Sequence, residues 1–598
     1  MNIDERFKDD SPENTVAKIL KILADCGLET QEEWNDSGIR TCHSLHVSVK
    51  GTAAATNGKG VTPQLARASG YAELMERLQS GTASMRELKL NDAVTLTRQQ
   101  LQENCGAWFE AIAQNASAFQ NDPVSADKVL QTALDSERSD DSVTALPFVN
   151  MNRGEMTYFP QKLIYRLYLT NGLAAGNTPE EALVQGFSEI IERYNQGKLL
   201  TGKAVPPTIP DDYLRQFSAA WEAIEEIRAA GLDVLIKDCS LGEPYPVIAA
   251  AVINRETNAY HIHLGASPIF EIALERSLTE LFQGHHLKDV AVVRNVHTAK
   301  NKKRDIYDIY CGWINNTGSY PIEFFNGTPT YAFKPFPDHA GESNRDLLRF
   351  ILDYLDKKGK TMLVRDYSVL GFRSYRIIVP GMSELMHSSL TTGIPIVRCT
   401  AEFSAIQHDI AAADEKQAIA ALIYCKYTMS NFTHDKRFSA FSGMPLGLSS
   451  QQDKMLGCAC MGRLEWKLGN RDQAMKEAAD AAAVSTGDDH AYFSAICQAD
   501  TLLRQGYDIA QTLSLLSPFY TERILNRVET VLREQSNPFD AYMPRCAHAP
   551  DTCAACPYAA NCKTAAQNAL SDTISRAAAA FRHEEKAAEL CALAASRK

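Results

Sequence analysis

The chain has 598 residues, 45% of them apolar, and a formal net charge of −12, long enough for roughly two to four domains with sizeable cores. The acidic balance argues against nonspecific nucleic-acid or anionic-membrane binding, both of which need a basic surface. No apolar run reaches the ~18 residues of a membrane span, and the N-terminus MNIDERFKDDSPENT lacks the basic-then-apolar order of a signal peptide, so a cytoplasmic protein is expected, its fifteen cysteines reading as reduced thiols or metal ligands.

Residues 13 to 27 place apolar side chains at helical spacing and end at Gly27, which predicts a short amphipathic helix. Residues 43 to 56 read as strand leading into a loop of Asn57, Gly58, Lys59 and Gly60. Lys59 is there a candidate phosphate contact beside backbone N–H groups, although glycine loops also serve geometry alone and the spacing is not that of a P-loop.

From Gly60 to Arg77 the sequence GVTPQLARASGYAELMER opens a pattern that returns without a gap, 116 residues on, at Gly176 to Arg193 as GNTPEEALVQGFSEIIER. Eight of eighteen positions are identical, among them Thr62/Thr178, Pro63/Pro179, Glu73/Glu189 and Glu76/Glu192. Each copy puts Thr at a helix N-cap and Pro at the first helical position, where its missing N–H costs nothing. The second copy adds a capping box from Thr178 to Glu181. Glutamates three apart project from one helix face, here among small or apolar neighbours such as Ala66, Gly70, Ala182 and Gly186. Four carboxylates turned toward one interior repel strongly. A hard divalent cation relieves that repulsion, and magnesium is usually held by a few carboxylates together with substrate phosphates. An ordinary charged helix face is the plain alternative.

Between the copies, residues 82 to 145 are polar and helix-prone, with an exposed connection near Asp135 to Val143, and residues 156 to 170 return as strand and turn. A polar helix near Pro210 to Ala230 then precedes strands at 234–238 and 246–253. A third stretch, Ala273 to Glu280, follows Ser267-Pro268, again a cap followed by proline. Ala273 precedes Glu280 by seven residues, as Ala66 precedes Glu73 and Ala182 precedes Glu189. Arg276 and Glu280, one turn apart, make either an intrahelical ion pair or a metal carboxylate beside a phosphate-binding guanidinium fork. A helix after residue 345 and strands at 361–366 and 375–379 follow.

Five ordered blocks of this kind resemble the signature of YcaO-domain proteins: Asn57 to Gly60, Ser69 to Arg77, Asn171 to Thr178, Glu189 to Arg193, and Ala273 to Glu280. The resemblance covers roughly residues 40 to 400. It implies an α/β domain, a pseudo-duplicated sheet with packed helices, that binds ATP and Mg2+, with metal bridging the nucleotide's phosphates to helix glutamates. By that resemblance Glu73, Glu76, Glu189, Glu192 and Glu280 are metal-site candidates, and Ser69, Asn177, Gln185 and Arg276, beside Lys59, are nucleotide-contact candidates. The stretch from Asp366 to Ser383 is similar to the branch of the family implicated as an accessory factor for β-methylthiolation of a ribosomal-protein aspartate. Azoline-forming members instead carry a proline-rich C-terminus, whereas this sequence ends Leu-Ala-Ala-Ser-Arg-Lys598.

From about 410 to 535 the composition turns to alanine- and leucine-rich helices without strand signal. Gly462 to Ala474 has the large/small spacing of a tetratricopeptide-like (TPR-like) hairpin, which reads as a docking surface for a partner or as plain bundle packing. Cys458 and Cys460 sit in an apolar helix as core residues. In the tail, Cys546, Cys553, Cys556 and Cys562 fall within seventeen residues, a spacing that makes cytosolic thiols metal ligands. The loop resembles the four-cysteine [4Fe–4S] loop of the endonuclease III family over those residues alone. A [4Fe–4S] cluster is favoured; zinc, which usually takes two hooks of closely spaced cysteine pairs, is the alternative.

The expected organisation is an ATP- and Mg2+-binding domain at 1–405, a helical TPR-like domain at 406–538, and a four-cysteine metal loop with a terminal helix at 539–598. Joined to the resemblance, the parts point to post-translational modification of a protein or peptide, in sulfur-linked chemistry, through activation of an amide or carboxyl oxygen. A nonenzymatic accessory protein with a regulatory ATP site competes with that reading, and an electron-transfer protein is a third. Expected partners are a small-subunit ribosomal protein, a radical methylthiotransferase and a second copy of the chain, with neither nucleic acid nor membrane among them.

Overall fold

The computed structural model describes residues 8–83, 88, 90–120, 123–137, 141–298, 312–313, 318–387, 390, 402–403, 406, 409–428, 436–442, 444, 446–543, 556 and 558–597. They form two units, Met1–Thr391 with Ala569–Lys598, and Thr392–Asn568.

The first unit runs α1 (Pro12–Asp25), β1 (Thr30–Asn35), β2 (His43–Val49), β3 (Ala55–Gly60), α2 (Pro63–Gln79), β4 (Val94–Thr97), α3 (Arg98–Gln120), α4 (Ala126–Glu137), β5 (Ser142–Asn150), β6 (Glu155–Pro160), α5 (Gln161–Leu167), β7 (Leu173–Ala175), α6 (Pro179–Leu200), α7 (Asp211–Leu214), α8 (Ser218–Ala229), β8 (Asp233–Asp238), β9 (Val247–Asn254), β10 (Ala259–Ala266), α9 (Phe270–Leu281), α10 (Asn344–Lys357), β11 (Leu363–Asp366) and β12 (Ser374–Ile378). The strands form three antiparallel sheets: β1-β2-β3, β10-β9-β8, and β4-β5-β11-β12-β7 with β6 on β5. In each sheet one end strand of the path, β3, β7 or β10, runs straight into a helix.

Those strand–helix connections make the duplication a triplication. Position for position, 116 and then 91 residues apart, Gly58, Ala174 and Gly265 lie on the strands, and Ala66, Ala182 and Ala273 face them from α2, α6 and α9. The backbones touch: a Cβ on Gly58 would lie 2.1 Å from the Ala66 carbonyl, one on Gly265 would lie 2.4 Å from the Ala273 carbonyl, and one on Gly186 would lie 2.9 Å from Ala174 Cβ. Helix α2 packs on β3 and β7, α6 on β7 and β10, and α9 on β10 and β3. The three units therefore close into a ring, with the helices' polar faces turned to one interior.

Local chemistry sets the helix starts. The Thr62 hydroxyl accepts from Leu65 N and the Thr178 hydroxyl from Glu181 N, each before a first-position proline. The second start is not the expected capping box, because the Glu181 carboxylate is taken up by Asp9 N and Lys8 instead of reaching back. Pro268 is not the first residue of a helix either: α9 begins at Phe270, and Ser267 Oγ accepts from Ile269 N in the preceding turn. Asn57 to Gly60, expected as a loop, is edge strand β3 paired with β2. Its glycines are required there by the closeness of α2, and the turn falls earlier, at Lys50 to Ala54.

The terminal helix His583–Ala595 packs on β5, β6 and β11 of this unit, with Leu590 and Ala594 buried. The second unit is helical: α11 (Glu415–Thr428), α12 (Ser450–Lys467), α13 (Arg471–Val484), α14 (Gly487–Arg504), α15 (Ile509–Leu516) and α16 (Glu522–Glu534). Helices α12, α13 and α14 pack in succession and α16 packs on α14. Cys425, Cys458 and Cys460 are in its core, where burial raises their thiol pKa values.

Candidate functional site

All ten noncysteine candidates line one cavity of about 390 Å3 in the first unit: Lys59, Ser69, Glu73, Glu76, Asn177, Gln185, Glu189, Glu192, Arg276 and Glu280. The ring explains the convergence. Ser69, Gln185 and Arg276 hold the same register in α2, α6 and α9, as do Glu73, Glu189 and Glu280, while the counterpart of Glu76 and Glu192 is Gln283, in the turn just after α9. Each helix presents the same face to the centre.

Cations interleave with the carboxylates. Arg77 lies 3.1 Å from Glu73 and 3.3 Å from Glu76, Lys59 pairs with Glu280, and Arg276 Nη1 donates to Gln185 Oε1 at 2.6 Å. Glu189 and Glu192 make neither hydrogen bond nor ion pair with any described residue, although Glu192 is only 7% exposed. Burial pushes the Glu76 carboxyl up to about 8, with Arg77 pulling down and Glu73 and Glu189 pushing further. Burial likewise lifts Glu192 to about 7, against Arg193 and Arg276 and with Glu280 and Glu189. The carboxylates of all three helices thus feel one another, and none of those cations fully balances them. Among the described residues no three His, Cys, Asp or Glu side chains are already gathered as a closed metal cluster, because the glutamates are spread round the cavity and partly held by Arg77 and Lys59.

Hard oxygen donors, buried and short of positive charge, fit a divalent cation carrying phosphates. The register triad of Ser69, Gln185 and Arg276 adds donors, and the apolar Val61, Leu65 and Phe372 line the same space. Several lining residues were not read from the sequence. Glu181 and Gln283 are examples: the first looked like a cap, and the second is found only by carrying the helix register 91 residues beyond Glu192.

A pH prediction follows from the raised carboxyls. Between the ordinary value of 4.5 and about 7 to 8, the folded chain holds protons that the unfolded chain has released, so these two groups make stability fall as pH rises through that window. Buried His261 and His387, lowered to about 4 and about 3 mainly by burial, act in the opposite sense up to their ordinary 6.5. The informative quantity is therefore the difference between native chain and a Glu76→Gln/Glu192→Gln variant. Urea unfolding at pH 5 and pH 8 is expected to show the variant gaining stability relative to the native chain at the higher pH; an unchanged difference contradicts the assignment.

In the tail, Cys546 and Cys553 lie outside the described residues. Cys556 and Cys562 are partly buried, and the Cys562 thiol lies 3.1 Å from Thr564 Oγ1.

The model of a family described as YcaO cyclodehydratase, ATP- and Mg2+-binding, matches residues 57–383. Over 388 residues the chain is 30% identical to the ribosomal protein S12 methylthiotransferase accessory factor YcaO of Escherichia coli (strain K12), a match covering 63% of this chain and 66%, just under two thirds, of the relative. Among solved structures, a heterocyclase in complex with substrate and cofactor is similar with a TM-score of 0.46 and 18% identity, covering 63% of this chain and 53% of that one. YcaO from Methanopyrus kandleri bound with AMPPCP and Mg2+ is similar with a TM-score of 0.39 and 19% identity, covering 65% and 94%.

Proposed function

Since the chain belongs to the YcaO family, we propose that it binds ATP with Mg2+ in the ring cavity and uses it to support modification of a protein or peptide. The observation that carries this reading is the convergence of Glu73, Glu76, Glu189, Glu192 and Glu280 from three helices on one cavity, with Glu189 and Glu192 free of ion pairs among the described residues. In this reading those glutamates hold the metal, while Ser69, Asn177, Gln185, Arg276 and Lys59 contact the nucleotide. Bound Mg2+–ATP supplies a phosphoryl or nucleotidyl group that turns an amide or carboxyl oxygen into a good leaving group. The chain's own part is to position and neutralise: Arg77 and Arg276 offset developing negative charge, and the buried walls exclude water.

The acceptor chemistry we infer is sulfur-linked, with a ribosomal protein as acceptor and a radical methylthiotransferase as partner enzyme. Its support is the name of the relative, a methylthiotransferase accessory factor. That same role favours the second reading, in which ATP acts as a switch rather than a substrate. The TPR-like hairpin is then a docking module, and Cys546, Cys553, Cys556 and Cys562 bind a [4Fe–4S] cluster or zinc.

One preparation tests these readings. Full-length chain purified without oxygen is assayed for iron, sulfide and zinc, then for ATP consumption with and without candidate ribosomal protein. Acceptor-stimulated release of phosphate or AMP supports the enzyme; Mg2+-dependent ATP binding without turnover supports the switch; absence of nucleotide binding overturns both. Zinc at one equivalent without iron overturns the cluster.

A further inference from the structure

The sheet β1-β2-β3 ends, at β1, in a strand edge that no described residue covers. The β10-β9-β8 sheet is instead closed on both sides: Asp238 N of β8 donates to the Pro207 carbonyl and the Ile236 carbonyl accepts from Ile209 N, while Tyr260 of β10 and Val293 exchange N–H···O bonds at 2.8 and 2.9 Å. On β1 the alternation of an antiparallel ladder decides which groups look outward. Lys50 N donates to the Glu29 carbonyl at 2.8 Å, which makes these two a hydrogen-bonded pair. By the register, the next such pairs are Gln31 with Ser48, Glu33 with His46 and Asn35 with Ser44. The N–H and C=O groups of Thr30, Glu32 and Trp34 therefore point away from β2, and none of them is bonded by a described residue.

The side chains along this edge carry one sign of charge. From Asp25 to Asp36 the sequence holds five carboxylates, Asp25, Glu29, Glu32, Glu33 and Asp36, and no lysine, arginine or histidine. Lys50 Nζ reaches Glu29 at 3.0 Å and Arg67 Nε reaches Glu32 at 2.9 Å, both from neighbouring elements. Glu33 receives only the Gln31 amide, at 3.2 Å. Trp34 is 47% exposed and meets neither a ring nor a cation among the described residues. Folded proteins usually blunt a free edge with lysine, proline or a bulge. The six residues of β1 include no lysine or proline, and their pairing with β2 runs without a bulge.

We infer that the free edge of β1 is a docking site for a cationic, extended segment of a partner protein, which adds to the sheet as a fourth strand. The outward groups of Thr30, Glu32 and Trp34 supply the main-chain ladder, and alternate side chains of the incoming strand fall on the two faces of the sheet. On the face shared by Glu32 and Trp34, a lysine or arginine meets a carboxylate and the open face of an indole, to which a cation is drawn. On the other face it meets Glu33. A second copy of this chain is the poorer occupant, because pairing β1 with β1 crowds Glu29, Glu32 and Glu33 against their counterparts, and like charges across a ladder destabilise it. The added strand would lie roughly 14 Å from β3, the strand that carries Lys59 to the nucleotide cavity. The docking edge stands independently of what that cavity binds.

The test uses the full chain and a capped peptide of alternating lysine and valine. Hydrogen–deuterium exchange read by mass spectrometry is expected to show protection gained over residues 29–36 as the peptide is added, and fluorescence anisotropy of the labelled peptide gives the midpoint. Trp34→Pro removes an outward N–H and leaves the β1–β2 ladder whole, since proline is accepted where the N–H faces solvent. It is expected to bind about tenfold more weakly than Trp34→Ala, which keeps that N–H. Glu33→Gln is expected to weaken binding about threefold at low salt. Two control peptides separate charge from strand addition: one with glutamate in place of lysine, and one that keeps every lysine but has proline in place of valine. Equal binding of either control, alike midpoints for the proline and alanine variants, an unchanged midpoint in Glu33→Gln, or no protection at 29–36 overturns the docking site. A dimer of the native chain that Trp34→Pro disperses would give the edge to a second copy and overturn the cationic partner. Should Trp34→Pro fail to fold, Glu33→Gln and the two control peptides still decide the question.

Discussion

Glu192→Gln is expected to weaken Mg2+-dependent ATP binding by about 100-fold or more, equivalent to ~2.7 kcal/mol, with the fold intact. The side chain is buried, carries no ion pair among the described residues, and is pressed by Glu280 and Glu189. Glutamine keeps its shape and removes the charge that a divalent cation needs. Relief of the repulsion should leave the variant as stable as the native chain, so a binding loss cannot be put down to unfolding. Gln283 gives the control. It stands at the equivalent sequence position, in the turn just after α9, and lines the same cavity, but offers an amide that donates to the Asn57 carbonyl at 3.1 Å. Gln283→Ala is expected to change ATP affinity by about threefold or less. Isothermal titration at fixed Mg2+ reads both, and equal effects from the two substitutions would remove the distinction between metal ligand and cavity wall.

Gly58→Ala is expected to cost about 3 kcal/mol or more and to open the ring. The added Cβ would stand 2.1 Å from the Ala66 carbonyl and 2.5 Å from Gly70 N, both backbone atoms that move only if α2 leaves β3. Gly265→Ala meets the same obstacle at Ala273 and Ser277, at 2.4 and 2.5 Å. Gly70→Ala is milder, its nearest foreign atom being Val47 Cγ2 at 3.0 Å. Gly106, inside α3 with nothing within 4 Å, should gain roughly 0.5–1 kcal/mol on becoming alanine. Urea unfolding of the four variants should order them Gly106, Gly70, then Gly58 and Gly265 together. A tolerated Gly58→Ala would contradict the strand–helix contact on which the cavity's shape depends.

The candidate residues that line the cavity were easier to pick out than the scaffold that gathers them. Paired glutamates behind a Thr-Pro helix start were visible twice because α2 and α6 keep the same cap and the same period. The third unit was half visible: Ala273, Arg276 and Glu280 kept the register, but Ile269-Phe270 stands where the other units have Thr-Pro, and Gln283 stands where they have glutamate. Strand β10 just before it, with His261 and His263 among its residues, was not read. The glycines of β3 read as a loop because glycine is commonest where the chain turns; here they answer to a helix backbone lying against the strand. Strand β4 escaped notice because its four residues are set in a polar stretch, and α5 because its Pro160 start carries no side-chain cap. The five glutamates were therefore expected on helices and lie on helices for reasons of local chemistry, and Lys59, expected in a loop, lies on strand β3, while the closing of three sheets into a ring came from contacts no local pattern records.

The central claim is that carboxylates from three helices share a cation that grips a nucleotide's phosphates. Electron paramagnetic resonance of the full chain, with Mn2+ in place of Mg2+ and a nonhydrolysable ATP analogue, measures this directly through couplings between the metal and phosphate 31P nuclei. The account predicts such couplings in the native chain and their loss in both Glu189→Gln and Glu192→Gln. Mn2+ that binds without the nucleotide's phosphates near it, or couplings unchanged in the two variants, would contradict it.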